Sequence, residues 1–171
     1  MRILLTGFMG AGKTTVGRLL AEQLRLDFVD LDQEIESASG LRVREIFERH
    51  GEPEFRALER RLLAEALGRD EIVIAAGGGT LADAETLELA RRSGVVVWLN
   101  PTFSTLVARI GPRGKSDRPL FGDETQAFDL YRSRLPSYRQ ADLRIDVGPD
   151  EQAREVAARI ALLLARPVCT T

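Results

Sequence analysis

The sequence predicts an α/β fold in which a parallel sheet is covered by helices on both faces. Short, mostly apolar runs alternate along the chain with longer segments of helical periodicity. The runs are RILLT (2–6), DFVD (27–30), EIVIAA (71–76), VVVWL (95–99) and LRIDV (143–147). Continuous apolar runs favour strands that are buried on both faces, as in parallel sheets. One unbroken alternation over 171 residues predicts a single domain.

Helices are expected between and after these runs, because apolar residues there recur every three or four positions. The expected helices cover about 13–25, 31–38, 42–49, 52–67, 82–93, 102–110, 124–140 and 150–165. Within 52–67, the apolar residues Phe55, Leu58, Leu62 and Ala66 share one face. Residues 111–124, GPRGKSDRPLFGDE, combine glycine, proline and charge, which predicts a mobile loop.

The composition is that of a globular protein and excludes several classes. Hydrophobic residues make up 44% and charged residues 29%, with a net charge of −2. This balance gives no sign of general binding to nucleic acid or to a membrane surface. No apolar run approaches the ~18 residues that suggest a membrane span. A single cysteine, Cys169, excludes a disulfide framework and predicts a cytoplasmic protein.

Residues 7–14, GFMGAGKT, match G-x-x-x-x-G-K-[ST], the phosphate-binding loop or P-loop. Glycines allow the chain to turn back with its N–H groups pointing at a polyphosphate. The helix that follows adds its N-terminal N–H groups and the positive end of its dipole. Lys13 can reach the β- and γ-phosphates of a nucleotide, and the Thr14 hydroxyl can bind Mg²⁺. The pattern lies between a predicted strand and a predicted helix, so it indicates a protein that binds ATP or GTP.

The P-loop alone does not distinguish a kinase from a GTPase or an ATP-driven machine. The chain is short and carries no N-K-x-D signature for reading guanine, which favours a small-molecule kinase. Such an enzyme needs an acceptor pocket, a base and a lid that excludes water.

Two carboxylates, Asp30 and Asp32, follow the second predicted strand. Carboxyl ends of parallel strands border the ligand crevice, and residues two apart on a strand project to the same side. One carboxylate can then act towards Mg²⁺ through water and the other towards a substrate hydroxyl. The structural alternative is that either aspartate only caps the next helix.

Other candidates are distributed along the chain. Arg56 lies beside the apolar stripe of its helix and can bind a carboxylate, although most such arginines are only solvated. The glycines 77–79 end the third predicted strand and leave room for a ligand, although a plain tight turn has the same composition. Arg118, in the 111–124 loop, can stabilise phosphoryl charge on closure or remain solvated. Arg134 by itself gives little indication of a role.

Together these segments closely resemble the shikimate kinase family over nearly the whole chain. The matching segments are LLTGFMGAGKTTVGRLLA, FVDLDQEIE, VREIFERHGEPEFRALE, AAGGGT, SDRPLF and RSRLPSYRQAD, in that order. The resemblance implies transfer of the ATP γ-phosphate to the 3-hydroxyl of shikimate, in the route to aromatic amino acids. It also implies a three-layer α/β/α P-loop kinase fold whose five parallel strands have the order 2-3-1-4-5.

The resemblance further implies a role for each matching residue. The residues implied for the nucleotide are Gly10, Ala11, Gly12, Lys13, Thr14, Thr15, Arg109, next to adenine, and the lid residue Arg118. Those implied for shikimate are Asp32, Arg56, Gly77, Gly78, Gly79 and Arg134, with Phe47 and Phe55 as an apolar wall. Lys13, Asp32 and Arg118 are the implied catalytic residues, and Asp32 is the candidate base. Thr14 is the implied Mg²⁺ ligand, with Asp30 acting through water.

These inferences describe a cytoplasmic monomer that uses ATP and Mg²⁺ and has no nucleic-acid or membrane partner. Its single domain would place shikimate-binding helices at about 31–62 and a lid at about 111–124. Two alternatives stay open. One is a different small-molecule kinase on the same scaffold, for gluconate or a nucleotide. The other is a non-catalytic module that senses a nucleotide.

Overall fold

The computed structural model describes residues 1–116 and 123–165, and for residues 111–116 it describes the backbone alone. Within these residues the strands are β1 (Arg2–Thr6), β2 (Asp27–Asp30), β3 (Ile72–Ala75), β4 (Val95–Pro101) and β5 (Leu143–Val147). The helices are α1 (Lys13–Leu24), α2 (Leu31–Ser39), α3 (Val43–Leu67), α4 (Ala84–Ser93), α5 (Phe103–Ser116), α6 (Glu124–Tyr138) and α7 (Ala153–Leu164). A short 3₁₀ turn covers Thr80–Ala82. No described helix combines the length and hydropathy needed to cross a membrane.

The five described strands form one parallel sheet of order β2-β3-β1-β4-β5, which confirms the predicted topology. Ala75, at the end of β3, is in register with Leu5 of β1 on one side and with Asp30 of β2 on the other. The carboxyl ends of these three strands are therefore level. The P-loop, the start of α2 and the glycines 77–79 all continue from that one edge of the sheet.

The core lies on both faces of the sheet, because successive strand residues point to opposite sides. On β1, Ile3 and Leu5 pack in one apolar cluster with residues of α1 and α7. Leu4, between them, belongs to the other cluster, with residues of α2, α3 and α4. All three β1 residues are fully buried. This arrangement confirms the three-layer α/β/α architecture.

Two predicted boundaries differ from the structure. The helices expected at 42–49 and 52–67 are joined as α3, which is kinked at Gly51, where φ is 79° and ψ is 171°. That backbone conformation is readily adopted only by glycine, so the break between the two segments was correctly located. Residues 111–116, expected to belong to a loop, instead continue α5 to Ser116. Residues 117–122 lie outside the described part of the chain.

We expect Gly94→Ala to destabilise the fold. A Cβ at Gly94 would overlap the backbone carbonyl oxygen of Arg2, at the start of β1. Relieving that overlap requires a backbone shift, and overpacking of this kind costs about 1–3 kcal/mol. Urea denaturation of the purified variant measures the loss of unfolding free energy.

The matched control is Gly148→Ala. A Cβ there would meet Glu151 Cβ at 3.6 Å, an ordinary van der Waals distance. Equal stabilities of the two variants would show that β1 and the α4–β4 junction are less closely packed than the structure indicates.

Candidate active site

Glycines allow the tight turn of the P-loop, because any other residue at these positions would be strained. Gly7 has φ of 137°, and a Cβ on it would lie 2.5 Å from the carbonyl oxygen of Leu99. Gly12 has φ of 95° and is the N-cap residue of α1. The loop therefore folds closely over the end of β4, and Lys13 becomes the first residue of α1.

A cavity of about 250 Å³, here called the P-loop cavity, lies over this loop. It is lined by Gly10, Gly12, Lys13, Thr14, Thr15, Asp30, Asp32, Ala75, Ala76 and Arg109. Lys13 Nζ donates to the carbonyl oxygens of Gly7, at 2.8 Å, and Phe8, at 3.1 Å. Ala11 is the one P-loop prediction that does not line the cavity. It is buried, and its amide donates to the Phe8 carbonyl oxygen.

Asp30 serves as a helix cap and as a partner of Thr14 at the same time. Its Oδ1 accepts hydrogen bonds from the amides of Asp32, at 3.1 Å, and Gln33, at 3.3 Å. Its Oδ2 accepts a hydrogen bond of 2.5 Å from the Thr14 hydroxyl. Asp30 therefore caps α2 through Oδ1 and contacts Thr14 through Oδ2, so the capping role and the proposed functional role do not exclude each other.

This Thr14–Asp30 pair has the chemistry that Mg²⁺ requires. Both donors are hard oxygens, and Mg²⁺ typically uses one or two carboxylates together with waters and substrate phosphates. Within the described residues there is no group of three or more His, Cys, Asp or Glu that could hold a metal. The residues fit an ion that is bound jointly with a nucleotide, rather than one held by an all-protein cage.

The prediction that Asp30 and Asp32 share one side of a strand is wrong. β2 ends at Asp30, and Asp32 lies in the first turn of α2. The cap made by Asp30 turns the chain into the helix, and this turn brings Asp32 towards the ligand edge. Asp32 lines both the P-loop cavity and a second, adjoining cavity.

The second cavity has a volume of about 290 Å³ and is here called the arginine cavity. It is lined by Met9, Asp32, Gln33, Glu36, Val43, Phe47, Phe55, Arg56, Glu59, Gly77, Gly78, Gly79 and Arg134. The rings of Phe47 and Phe55 lie 4.6 Å apart and form the predicted apolar wall. Every residue predicted to contact the acceptor lines this cavity.

Arg56 is fixed by two carboxylates of its own helix. Its Nη1 donates to Glu59 at 2.6 Å and its Nη2 to Glu52 at 3.2 Å. Glu59 is buried and also accepts a 2.5 Å hydrogen bond from the Thr80 hydroxyl. Burial lowers the pKa of Arg56, but the charges and hydrogen bonds of Glu59 and Glu52 outweigh it, so the pKa is raised. Arg56 therefore stays charged, with part of its charge already compensated.

Arg134 is in a different electrostatic position. It is 6% exposed, and among the described residues it forms no ion pair with a carboxylate. Its guanidinium lies over the ring of Phe8, 5.6 Å from the centroid. A buried cation without a carboxylate is costly unless an anion binds to it. Arg134 therefore makes the arginine cavity receptive to an anionic group.

The glycines at 77–79 are required for space. A Cβ at Gly78 would lie 3.0 Å from Arg134 Nη1, and one at Gly79 would lie 2.7 Å from Arg56 Nη2. A Cβ at Gly77 would lie 3.1 Å from Asp32 Oδ1. A side chain at any of these positions would displace a charged group of the cavity. The plain tight-turn alternative does not account for these contacts.

Tyr138 does not line the arginine cavity but contacts one of its lining residues, Gly78. Its hydroxyl donates a 2.6 Å hydrogen bond to the carbonyl oxygen of Gly78. Burial raises the pKa of Tyr138 to about 12, against the opposing charge and hydrogen bond of Arg134. The hydroxyl is therefore protonated, and available as a donor, throughout the physiological pH range.

Two of these residues were missed from the sequence, Glu59 and Tyr138. Glu59 lies within the apolar stripe of α3, four residues after Phe55. It also follows Arg56 by three residues, a spacing at which oppositely charged side chains pair on one helix face. Tyr138 follows Arg134 by four residues on α6, so it too was recognisable as a neighbour. The predicted lid residue Arg118 lies outside the described residues.

Comparison with known proteins supports one family. The shikimate kinase family model matches residues 9–165. The shikimate kinase of Persephonella marina is 40% identical over 92% of this chain and 98% of its own. That of Gloeobacter violaceus is 45% identical over 92% of this chain and 93% of its own. The solved shikimate kinase from Acinetobacter baumannii, in complex with shikimate, superposes with a TM-score of 0.89 at 38% identity, covering 95% of this chain and 92% of that one. The chain therefore belongs to the shikimate kinase family.

Proposed function

We propose that the protein transfers the γ-phosphoryl group of ATP to the 3-hydroxyl of shikimate, giving shikimate 3-phosphate and ADP. The observation that carries this proposal is the position of Asp32, which lines both the P-loop cavity and the arginine cavity. A carboxylate at that junction has access to an acceptor hydroxyl and to the terminal phosphate at once. Membership of the shikimate kinase family supports the same substrates.

On the nucleotide side, the P-loop amides and Lys13 bind the phosphates. Lys13 Nζ donates to two loop carbonyl oxygens, so phosphate oxygens would compete with these carbonyls for the ammonium protons. Arg109 lines the same cavity and donates to the Gly148 carbonyl oxygen at 3.3 Å. This position suits a contact with the adenine ring.

Mg²⁺ belongs to the proposal as well. The Thr14 hydroxyl would ligate it and Asp30 would act through water, since these two oxygen donors lie 2.5 Å apart. When bound, the ion would neutralise phosphate charge.

On the acceptor side, Arg134 and Arg56 bind the shikimate carboxylate, while Asp32 and the backbone at Gly77–Gly79 bind its hydroxyls. The 3-hydroxyl oxygen forms a bond to the γ-phosphorus as the bond to the β-phosphate oxygen breaks. Its proton passes to Asp32, which is needed late because the transition state is loose. Most of the acceleration comes from alignment and charge neutralisation.

Three further parts of the proposal concern the protein as a whole. Arg118 would close over the phosphates as part of a lid within 111–124 and exclude water, the abundant competing nucleophile. The enzyme would act as a monomer. A cytoplasmic location is supported by the single cysteine.

A coupled assay of ADP release tests the reaction. Purified protein with Mg-ATP is offered shikimate, gluconate or AMP in parallel. ADP release that depends on shikimate alone supports the proposal, and preference for gluconate or AMP would identify a different small-molecule kinase. Nucleotide binding without transfer to any of the three acceptors would indicate a sensing module.

Asp32→Asn is expected to lower kcat by about 100-fold or more, because the amide does not accept the hydroxyl proton. Steady-state assays with saturating shikimate and ATP measure the loss. Asp129→Asn is the matched control, because Asp129 is exposed on α6 and lines neither cavity. A kcat of Asp32→Asn within a few-fold of the parent would remove Asp32 as the base.

Arg134→Ala and Arg56→Ala are expected to differ in their effect on stability. Both should raise the KM for shikimate, by about 10-fold or more for a lost charged hydrogen bond.

Arg56→Ala leaves Glu59 buried without its cation and should cost about 3 kcal/mol of unfolding free energy. Arg134→Ala breaks no ion pair among the described residues and should cost far less. Urea denaturation compares the two, with exposed Arg132→Ala as control; equal losses would contradict this division of charge.

A further inference from the structure

Tyr138 connects two parts of the arginine cavity that are far apart in sequence. It is the last residue of α6, one helical turn after Arg134. Its hydroxyl bonds to the carbonyl oxygen of Gly78, in the segment that follows β3. The end of the helix that carries Arg134 is therefore attached directly to the glycine segment.

Gly78 is enclosed between the Arg134 guanidinium and the P-loop. A Cβ on Gly78 would lie 3.0 Å from Arg134 Nη1 and 3.5 Å from both the Gly7 carbonyl oxygen and the Met9 amide nitrogen. Because the fit is this close, a movement of the Gly78 peptide would change the space that the guanidinium occupies. The hydroxyl of Tyr138 restrains that peptide.

The Tyr138 side chain is itself well fixed. It is 1% exposed, and its ring lies 5.8 Å from that of Trp98 on β4. The hydroxyl therefore stays between its two partners, the Gly78 carbonyl oxygen and the Arg134 guanidinium, whose hydrogen bond opposes the rise of the Tyr138 pKa. Since it remains protonated at neutral pH, its role towards the Gly78 carbonyl is that of a donor.

Arg134 needs such support more than Arg56 does. Arg56 is oriented by Glu52 and Glu59. Among the described residues no carboxylate pairs with Arg134, so its orientation depends on the Phe8 ring, on its hydrogen bond with the Tyr138 hydroxyl and on the helix end that Tyr138 anchors. A carboxylate in the position of an orienting partner would also compete with an acidic substrate for the arginine. A neutral hydroxyl orients the site without that competition.

We propose that the Tyr138 hydroxyl is a positioning group for the carboxylate of the acceptor. By holding the Gly78 peptide against the end of α6, it keeps Arg134 in the orientation that binds this carboxylate. The inference rests on the proposed function, in which Arg134 binds the shikimate carboxylate. Tyr138 does not touch the reacting atoms, so its effect falls on acceptor binding.

The first test is Tyr138→Phe, which keeps the ring and removes the hydrogen bond. Loss of one hydrogen bond corresponds to a rise of about 3- to 10-fold in the KM for shikimate. The KM for ATP and kcat should stay within twofold, a split that a general structural defect would not produce. The matched control is Tyr131→Phe, which removes a hydroxyl from the same helix, where the ring packs on Phe8 and Phe103; it should leave all three constants unchanged.

The second test is a double-mutant cycle on kcat/KM for shikimate. If Tyr138 acts through Arg134, adding Tyr138→Phe to Arg134→Ala should change kcat/KM by less than twofold. An undiminished effect in the Arg134→Ala background would overturn the proposed route.

Binding without turnover separates this inference from the proposed function. Trp98 is the one tryptophan of the chain, so its fluorescence can report a titration with shikimate. If the parent protein neither binds nor phosphorylates shikimate, the proposed function fails. If the parent does both and Tyr138→Phe keeps the parental Kd and KM, the role of Tyr138 is overturned and the function stands. A lower kcat, higher KM values for both substrates and a lower urea stability, all in parallel, would also overturn it, because they would show a structural role only.

Discussion

The level carboxyl ends of β1, β2 and β3 are the constraint on which the site depends. Ala75 is in register with both Leu5 and Asp30, so three chain segments leave the sheet at the same height. The P-loop, α2 and the glycine segment therefore begin side by side. Two cavities with a shared aspartate follow from this register. If one strand shifted by one residue relative to its neighbours, its buried side chains would also turn to the opposite face of the sheet.

The two arginines at this edge of the sheet differ in how far their charges are compensated. Arg56 has two carboxylate partners, and Glu59 between Arg56 and Thr80 is fully satisfied. Such a network is costly to break and gives the cavity a rigid wall. Arg134 is buried and, within the described part of the chain, has no carboxylate partner. Arg56 thus shares its charge between the framework and the cavity, while Arg134 has its charge available for an incoming anion.

Close approach of the backbone makes this arrangement possible. At Gly78 and Gly79 a Cβ would crowd a guanidinium, and at Gly77 it would crowd the Thr80 hydroxyl and the carboxylate of Asp32. The same segment receives the Tyr138 hydroxyl on its carbonyl side. Three adjacent residues without side chains therefore let two arginines, an aspartate and a tyrosine converge on one small volume.

The sequence by itself predicted the parallel sheet, the P-loop and the break near Gly51, because these depend on local periodicity and on glycine dihedrals. The family motifs added the strand order and many residues of the two cavities, but not Glu59. The use of strand geometry for Asp30 and Asp32 was wrong, because the cap formed by Asp30 ends β2 and Asp32 lies in the first turn of α2. Only the tertiary structure decided which groups from distant segments meet. Tyr138 and Gly78 are separated by 60 residues, so the hydrogen bond between them depends on how the end of α6 packs against the segment after β3, which no local pattern encodes.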